Sequence, residues 1–320
     1  MAEKDKRIPI VPVSKRITLR TILKFIFGET FGDQDKIHRF EKQYENVMKL
    51  IDRRFIESDL DGLFTGEEEL EARVKELRMY LQDAVNRRRT NPPKEGEEIF
   101  MDLVMQENSS DEIICWDLLT YVFAGFHTSG LLLSWCIFYL SKNNYVQNRL
   151  YGEIIQLLCS EDENMDISKI DELVYMKQVL DETMRCSSVV TIGGRMSDED
   201  ITLGSFVIPP KTPIVQELGV SYKKETLWDN PLEFNPDHFS PKNRASLPRF
   251  SFEPFGFAGY RKCPGFRLAS TEVAVALANL LFNFEVVMED EDDVTTQRNF
   301  GYTETLSDEI CVTLRKRVKH

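Results

Sequence analysis

From Leu118 to Leu140 the chain runs "LLTYVFAGFHTSGLLLSWCIFYL" without one Asp, Glu, Lys or Arg. A helix of that length covers the hydrocarbon core of a bilayer, about 30 Å thick. Small and polar groups cluster at its middle, in "AGFHTSG". That pattern also suits a long helix buried through the centre of a large soluble domain. The chain has 320 residues, 42% of them hydrophobic, enough for one large domain around such a helix or for two small ones.

The segments around it decide the fold class. "RFEKQYENVMKLIDRRF" spaces Phe40, Tyr44, Val47, Met48, Ile51 and Phe55 at helical steps. "EEELEARVKELRMYLQDAVNRRR" repeats the pattern with Leu70, Val74, Leu77, Leu81 and Val85, acidic at its start and basic at its end, as the helix dipole favours. "NPPKEGEE" at 91–98 breaks the pattern, and Ser109 and Glu112 have capping-box spacing before the long apolar helix. "NNYVQNRLYGEIIQLL", "VYMKQVLDETMRC" and "LASTEVAVALANLLFNF" predict further helices. Between the last two, "VVTIGGRM", "ITLGSFVIPP" and "TPIVQELGV" predict short strands and turns, and "MEDEDD" at 288–293 a solvated acidic loop. The expected class is mainly α with a minor β-sheet, in a single domain over 1–320.

A net charge of −13 argues against nucleic acid as a partner. The opening "MAEKDKRIPI" is polar and charged, so no signal peptide is expected there. Six cysteines, at 115, 136, 159, 186, 263 and 311, form no CxxC pair, and only four histidines accompany them, so a Cys/His zinc site is not expected. Five of the six are expected as buried, reduced thiols.

The sixth, Cys263, stands in "FEPFGFAGYRKCPGFRLA", a punctuated loop that runs into an apolar helix. Such a thiol can be structural, a nucleophile or a metal ligand. A nucleophile wants a nearby base, and the nearest histidine in sequence is His238, in the turn-like "NPDHF". A ligand wants backbone N–H groups near sulfur, a helix start and packed aromatics. Gly256, Gly259 and Gly265 permit the first, the helix after Pro264 supplies the second, and Phe252, Phe255 and Phe257 the third. Arg261 places a cation two residues before the thiol, where it can meet an acidic group of a cofactor.

On those residues the chain resembles the cytochromes P-450, the heme-thiolate monooxygenases. Gly259, Arg261, Cys263, Gly265, Ala269 and Glu272 fall at the spacing of the family's heme-binding loop. Gly256 departs from it, standing where the family has Phe, with Phe255 and Phe257 on either side. "VLDETMR" resembles the family's ExxR helix, with Glu182 and Arg185 one turn apart. "WDNPLEFNPDHF" resembles the meander whose Arg joins that pair; His238 stands at that place, so the resemblance implies a network of Glu182, Arg185 and His238 that is weaker than usual. "AGFHTSG" resembles the oxygen-groove motif, with Ala124, Gly125 and Thr128 matching and His127 where an acid is usual. That context makes 118–140 a core helix. The resemblance runs from about residue 20 to the C-terminus and looks closest to the animal orphan family twenty. The family's membrane anchor, first helices and Trp- and Arg-bearing helix have no counterpart, so an N-terminally truncated fold is expected.

The resemblance implies heme b on Cys263 thiolate, cradled by Phe255, Phe257, Gly259, Arg261 and Gly265, with Ala124 and Gly125 beside it. It implies Thr128 and His127 as catalytic groups that handle protons. It also implies O2 and a small organic substrate, electrons from an NADPH-dependent flavin reductase, and a place on the cytoplasmic face of the endoplasmic reticulum membrane. Between Lys242 and Arg267 six basic residues face one acid, a candidate docking rim from which Arg261 is discounted as buried. Two other readings stand beside this: a heme-thiolate isomerase or degenerate heme binder, suggested by His127, and a membrane-embedded interaction protein with its span at 118–140.

Overall fold

A computed structural model describes residues 7–57, 66–107, 110–158, 166–256, 259–288, 298–300, 303–307 and 310–317. Its residues cluster into two compact units, one of 1–134 with 306–312 and one of 135–305 with 313–320. The Ser109 capping position, Cys159 and most of the acidic stretch after Met288 lie outside the described residues.

The first unit holds β1 (Arg7–Pro9), α1 (Ile10–Phe27), α2 (Gln34–Glu57), α3 (Glu67–Thr90), α4 (Phe100–Glu107) and most of α5 (Asp111–Lys142). α3 carries Glu67, Glu68 and Glu69 in its first turn and Arg87, Arg88 and Arg89 in its last, each favourable to the macrodipole. Its inner face is Leu70, Leu77, Leu81, Ala84 and Val85. Phe27, Phe31, Phe40 and Tyr80 form an aromatic chain with ring centroids 5.1–5.8 Å apart. Arg88 grips the buried carboxylate of Asp102 at 2.8 and 2.5 Å, and Asp102 also accepts the Ile99 N–H at 2.8 Å.

The second unit holds the end of α5, then α6 (Asn144–Leu158), α7 (Val174–Cys186), β2 (Ile192–Arg195), β3 (Ile201–Leu203), β4 (Phe206–Ile208), β5 (Ile214–Glu217), α8 (Pro241–Ser246), α9 (Phe266–Asn283), β6 (Phe284–Val287), β7 (Arg298–Phe300) and most of β8 (Glu304–Leu306) and of β9 (Cys311–Lys316). β2 pairs antiparallel with β5, and β3 with β4. β6 pairs with β9 in the register Val286↔Leu314. Buried Gln147 of α6 pins this edge, since its Oε1 accepts the Val286 N–H and its Nε2 donates to the Val286 and Leu140 carbonyls, all at 2.9 Å. The expected helices and strands therefore stand, and the protein is mainly α with small sheets.

α5 is the single helix among the described residues long and apolar enough to cross a membrane, and 67% of its apolar window is buried inside the protein. Its last turns are packed through Trp135, Cys136 and Leu140.

Candidate functional site

α7 turns Glu182 and Arg185 to the same side, and both side chains are fully buried. Arg185 Nε donates to Glu182 Oε2 and Nη2 to Oε1, each at 2.8 Å. Nη1 donates to the carbonyls of Tyr222 (2.8 Å) and Pro231 (2.7 Å), and Nη2 also to that of Glu233 (2.9 Å). Five N–H donors thus meet five oxygens, which suits the planar guanidinium and not an ammonium. A buried ion pair is tolerated on such terms, with every remaining donor satisfied.

His238 joins the pair from a one-turn helix at Pro236–Phe239. Asn235 caps that turn by accepting the Asp237 N–H, and Pro236 presets its first dihedral. The Asn235 N–H donates to Glu182 Oε1 at 2.7 Å. His238 Nδ1 lies 3.0 Å from the same Oε1, and Nε2 lies 2.6 Å from the Asp229 carbonyl. The Glu182 carboxylate holds the imidazole pKa above its ordinary value, against burial and the Arg185 charge. His238 is the residue expected in this network in place of a guanidinium, and its ring reaches Glu182 with one nitrogen and a carbonyl with the other.

The cysteine loop rests on aromatics. Phe252 packs against Phe239 at 4.6 Å and Tyr222 at 5.2 Å. The Glu253 N–H donates to Tyr222 Oη at 3.1 Å. The Cys263 N–H donates to the Phe255 carbonyl at 2.9 Å and closes the loop. Gly259 makes the turn at φ +96°, a conformation that L side chains rarely adopt. Cys263 is exposed and stands three residues before Phe266, the first residue of α9. A Cβ added at Gly265 would lie 3.9 Å from Sγ. Phe255 is half-buried, its ring 6.2 Å from that of Phe266. Phe257 lies outside the described residues, and Arg261 is exposed, not buried as expected. Among the described residues no cluster of three His, Cys, Asp or Glu side chains is placed to hold a metal ion.

In the first unit, α5 carries Ala124, Gly125, His127 and Thr128. Tyr121 and Ala124 are exposed and Thr128 half-exposed, on one helical face. Thr128 Oγ1 donates to the Ala124 carbonyl at 2.7 Å. His127 is buried, and burial with the nearby Lys15 charge pushes its pKa down to about 3. Gly125 faces Ile22 of α1. Five residues on, a Cβ at Gly130 would meet the Lys15 Cα at 3.0 Å and Thr18 Oγ1 at 2.9 Å, so glycine lets α1 approach. Buried Thr18 donates to the Phe126 carbonyl at 2.9 Å. A cleft of about 520 Å³ in the same unit, lined by Lys36, Arg39, Tyr80, Asp83 and Arg87 among others, holds none of these residues.

Sequence reasoning missed Tyr222, Thr18 and the carbonyl of Asp229. The Tyr222 contacts join positions 37 and 31 residues apart with no motif at "GVSYKK" to point to them, and the Asp229 group is a main-chain carbonyl, which its residue type does not record.

The sequence profile of the family described as Cytochrome P450 matches residues 1–311. The chain is 26% identical to "Cytochrome P450 20A1" of Bos taurus over 98% of its own length and 66% of that protein's. It is 26% identical to the Homo sapiens protein of the same name over 96% and 65%. The chain thus spans just under two thirds of the length of these relatives. Among solved structures, "Crystal structure of a Cytochrome P450 (CYP102L1)" superposes with a TM-score of 0.85 at 21% identity, over 99% of this chain and 70% of that one. "Crystal structure of cytochrome P450DA heme domain" gives 0.82 at 20%, over 98% and 67%.

Proposed function

Because the chain belongs to the cytochrome P450 family, whose members hold heme through a cysteine thiolate, we propose that Cys263 is that cysteine and that the protein works as a heme-thiolate monooxygenase. The observation that carries the reading is the Cys263 loop: an exposed thiol, fixed by its own N–H on the Phe255 carbonyl, just ahead of α9. The residues present fit a thiolate-bound group. Cys136, by contrast, is fully buried with its thiol pushed up to about 12, and Cys115 is also raised by burial.

When bound, thiolate-ligated heme supplies activation of O2: one oxygen atom enters an organic substrate and the other leaves as water, with two electrons and two protons consumed. The chain's own residues do the rest. Gly259 shapes the turn, Phe255 packs the loop's edge, and Gly265 leaves the sulfur's flank free of a side chain. Thr128 offers a hydroxyl on the open face of α5, anchored to Ala124, that holds and passes a proton. His127 stays neutral across the working pH range and acts as a buried packing group rather than a charged relay. Arg261, exposed in the loop, pairs with an acidic group of the cofactor.

The electrons come from an NADPH-dependent flavin reductase, and the support for this is charge. Arg249, Lys262 and Arg267 are exposed around the cysteine loop of an otherwise acidic chain. Arg244 is excluded from that rim because it is bound to Asp181. The setting is the cytoplasmic face of the endoplasmic reticulum membrane, by family resemblance.

The test is the absorption of the heme-loaded protein. The ferrous carbon monoxide complex is expected to show the red-shifted Soret band of thiolate ligation, and Cys263→Ala to lose it. An unaltered band in that variant rejects Cys263 as the ligand.

A further inference from the structure

We propose that His238 is a positioning residue held as an imidazolium, whose proton closes the Glu182–Arg185 network and, through Tyr222, fixes the backbone that sets Cys263. The geometry requires the charge. A neutral imidazole has one donor nitrogen and one acceptor nitrogen. Both nitrogens here face oxygens: Glu182 Oε1 at 3.0 Å and the Asp229 carbonyl at 2.6 Å. Neither oxygen has a proton to give: one belongs to a main-chain carbonyl, and the Glu182 carboxylate oxygens accept from Arg185 Nε and Nη2 and from the Asn235 N–H. A neutral ring would therefore set a lone pair against a lone pair at one of the two contacts, in a site where the side chain is 8% exposed.

The path to the thiol is continuous in the second unit. Glu182 holds Arg185, and Arg185 Nη1 holds the Tyr222 carbonyl at 2.8 Å. Tyr222 Oη receives the Glu253 N–H at 3.1 Å, and two residues on the Phe255 carbonyl receives the Cys263 N–H at 2.9 Å. The His238 backbone supports the same end, since Phe239 beside it packs on Phe252 at 4.6 Å.

The groups around the ring leave this proton as the titrating element. From α7 come Glu182 and Arg185, and one position away Asp181, which is bound to Arg244 of α8. From the preceding loop Asp229 offers its carbonyl, its residue otherwise exposed, and Trp228 lies edge-on at 5.9 Å. On the ring's own turn Asp237 is paired with Arg149 of α6 at 2.9 Å. The sign follows: a histidine raised in the fold contributes stability that is fully present below its ordinary value of about 6.5 and is lost as pH rises through the folded value.

The inference rests on the reading above only for the importance of the thiol; the proton itself is independent of it. The experiment is a pH titration of the histidine rings of the 320-residue chain by NMR, with His238→Arg assigning the signal. The His238 ring is expected to titrate above 6.5. In parallel, hydrogen exchange of the segment 253–263 is read at one pH, near 6. His238→Gln, which has no charge, is expected to speed it by about tenfold, the loss of one charge-assisted hydrogen bond. His238→Arg is expected to restore it. A ring titrating at or below 6.5 overturns the proposal whether or not the glutamine variant folds, as does unchanged exchange in a folded His238→Gln. Loss of the thiolate spectrum's assignment to Cys263 with this titration intact would reject the functional reading alone.

Discussion

Arg185 and Glu182 sit three residues apart on α7, joined by two hydrogen bonds of 2.8 Å and wholly withdrawn from water. Removing one partner strands the other charge. Arg185→Ala is therefore expected to lower stability by about 3–5 kcal/mol. Arg185→Lys is expected to recover little of it, because an ammonium has three donors for five oxygens. Urea midpoints read by circular dichroism check both. A lysine variant as stable as wild type would mean that the fork geometry is not what holds this helix.

His127 and His238 are expected to titrate in opposite directions. His127 is held near 3 by burial and by Lys15, so the unfolded chain binds its proton first. Its contribution is present above about 6.5 and is lost as pH falls, at about 1.4 kcal/mol per pH unit down to the folded value. His127→Gln should flatten the acid limb of stability against pH and leave the alkaline limb alone. His238→Arg should do the reverse. Thermal midpoints from pH 4 to 9 measure this, and an acid limb unchanged in His127→Gln would contradict the burial argument.

This division was only half legible beforehand. The bounds of α7 follow from its sequence, since "VYMKQVLDETMRC" is helical throughout and Ser187 ends it in an extended conformation. The lowering of His127 follows from an apolar neighbourhood that is local in sequence. The partners of His238 lie 56 and 9 residues away, on another helix and on a loop carbonyl, and no periodicity records them. α1 was also silent. Pro12 near its start and its Ile, Val and Thr residues weaken the helical signal, and its stability comes from packing against α5.

That packing gives a graded test. Gly130→Ala is expected to destabilise by about 1–3 kcal/mol, because its Cβ meets backbone at Lys15. Gly125→Ala should cost less, because its Cβ meets the end of the flexible Ile22 side chain and alanine favours the helix by about 1 kcal/mol. Denaturant midpoints of the two variants decide it; equal costs would place the close approach elsewhere.

For the docking rim, Lys262→Glu with Arg267→Glu is expected to slow reduction by a flavin reductase, mainly through association, and to flatten its dependence on salt. Both residues are exposed. Arg244 makes a poor probe, since reversal would set a second carboxylate beside buried Asp181. Stopped-flow reduction at several ionic strengths reads the effect, and rates equal to wild type at every salt concentration would remove this surface from electron transfer.

The bond from the Cys263 N–H to the Phe255 carbonyl belongs to the main chain alone. Its geometry asks nothing of Tyr260 or Lys262, which stand in water between its two ends. Those outer positions are free to drift toward whatever surface a partner prefers, while the sulfur keeps its place. A lineage can thus change its company without retuning its chemistry.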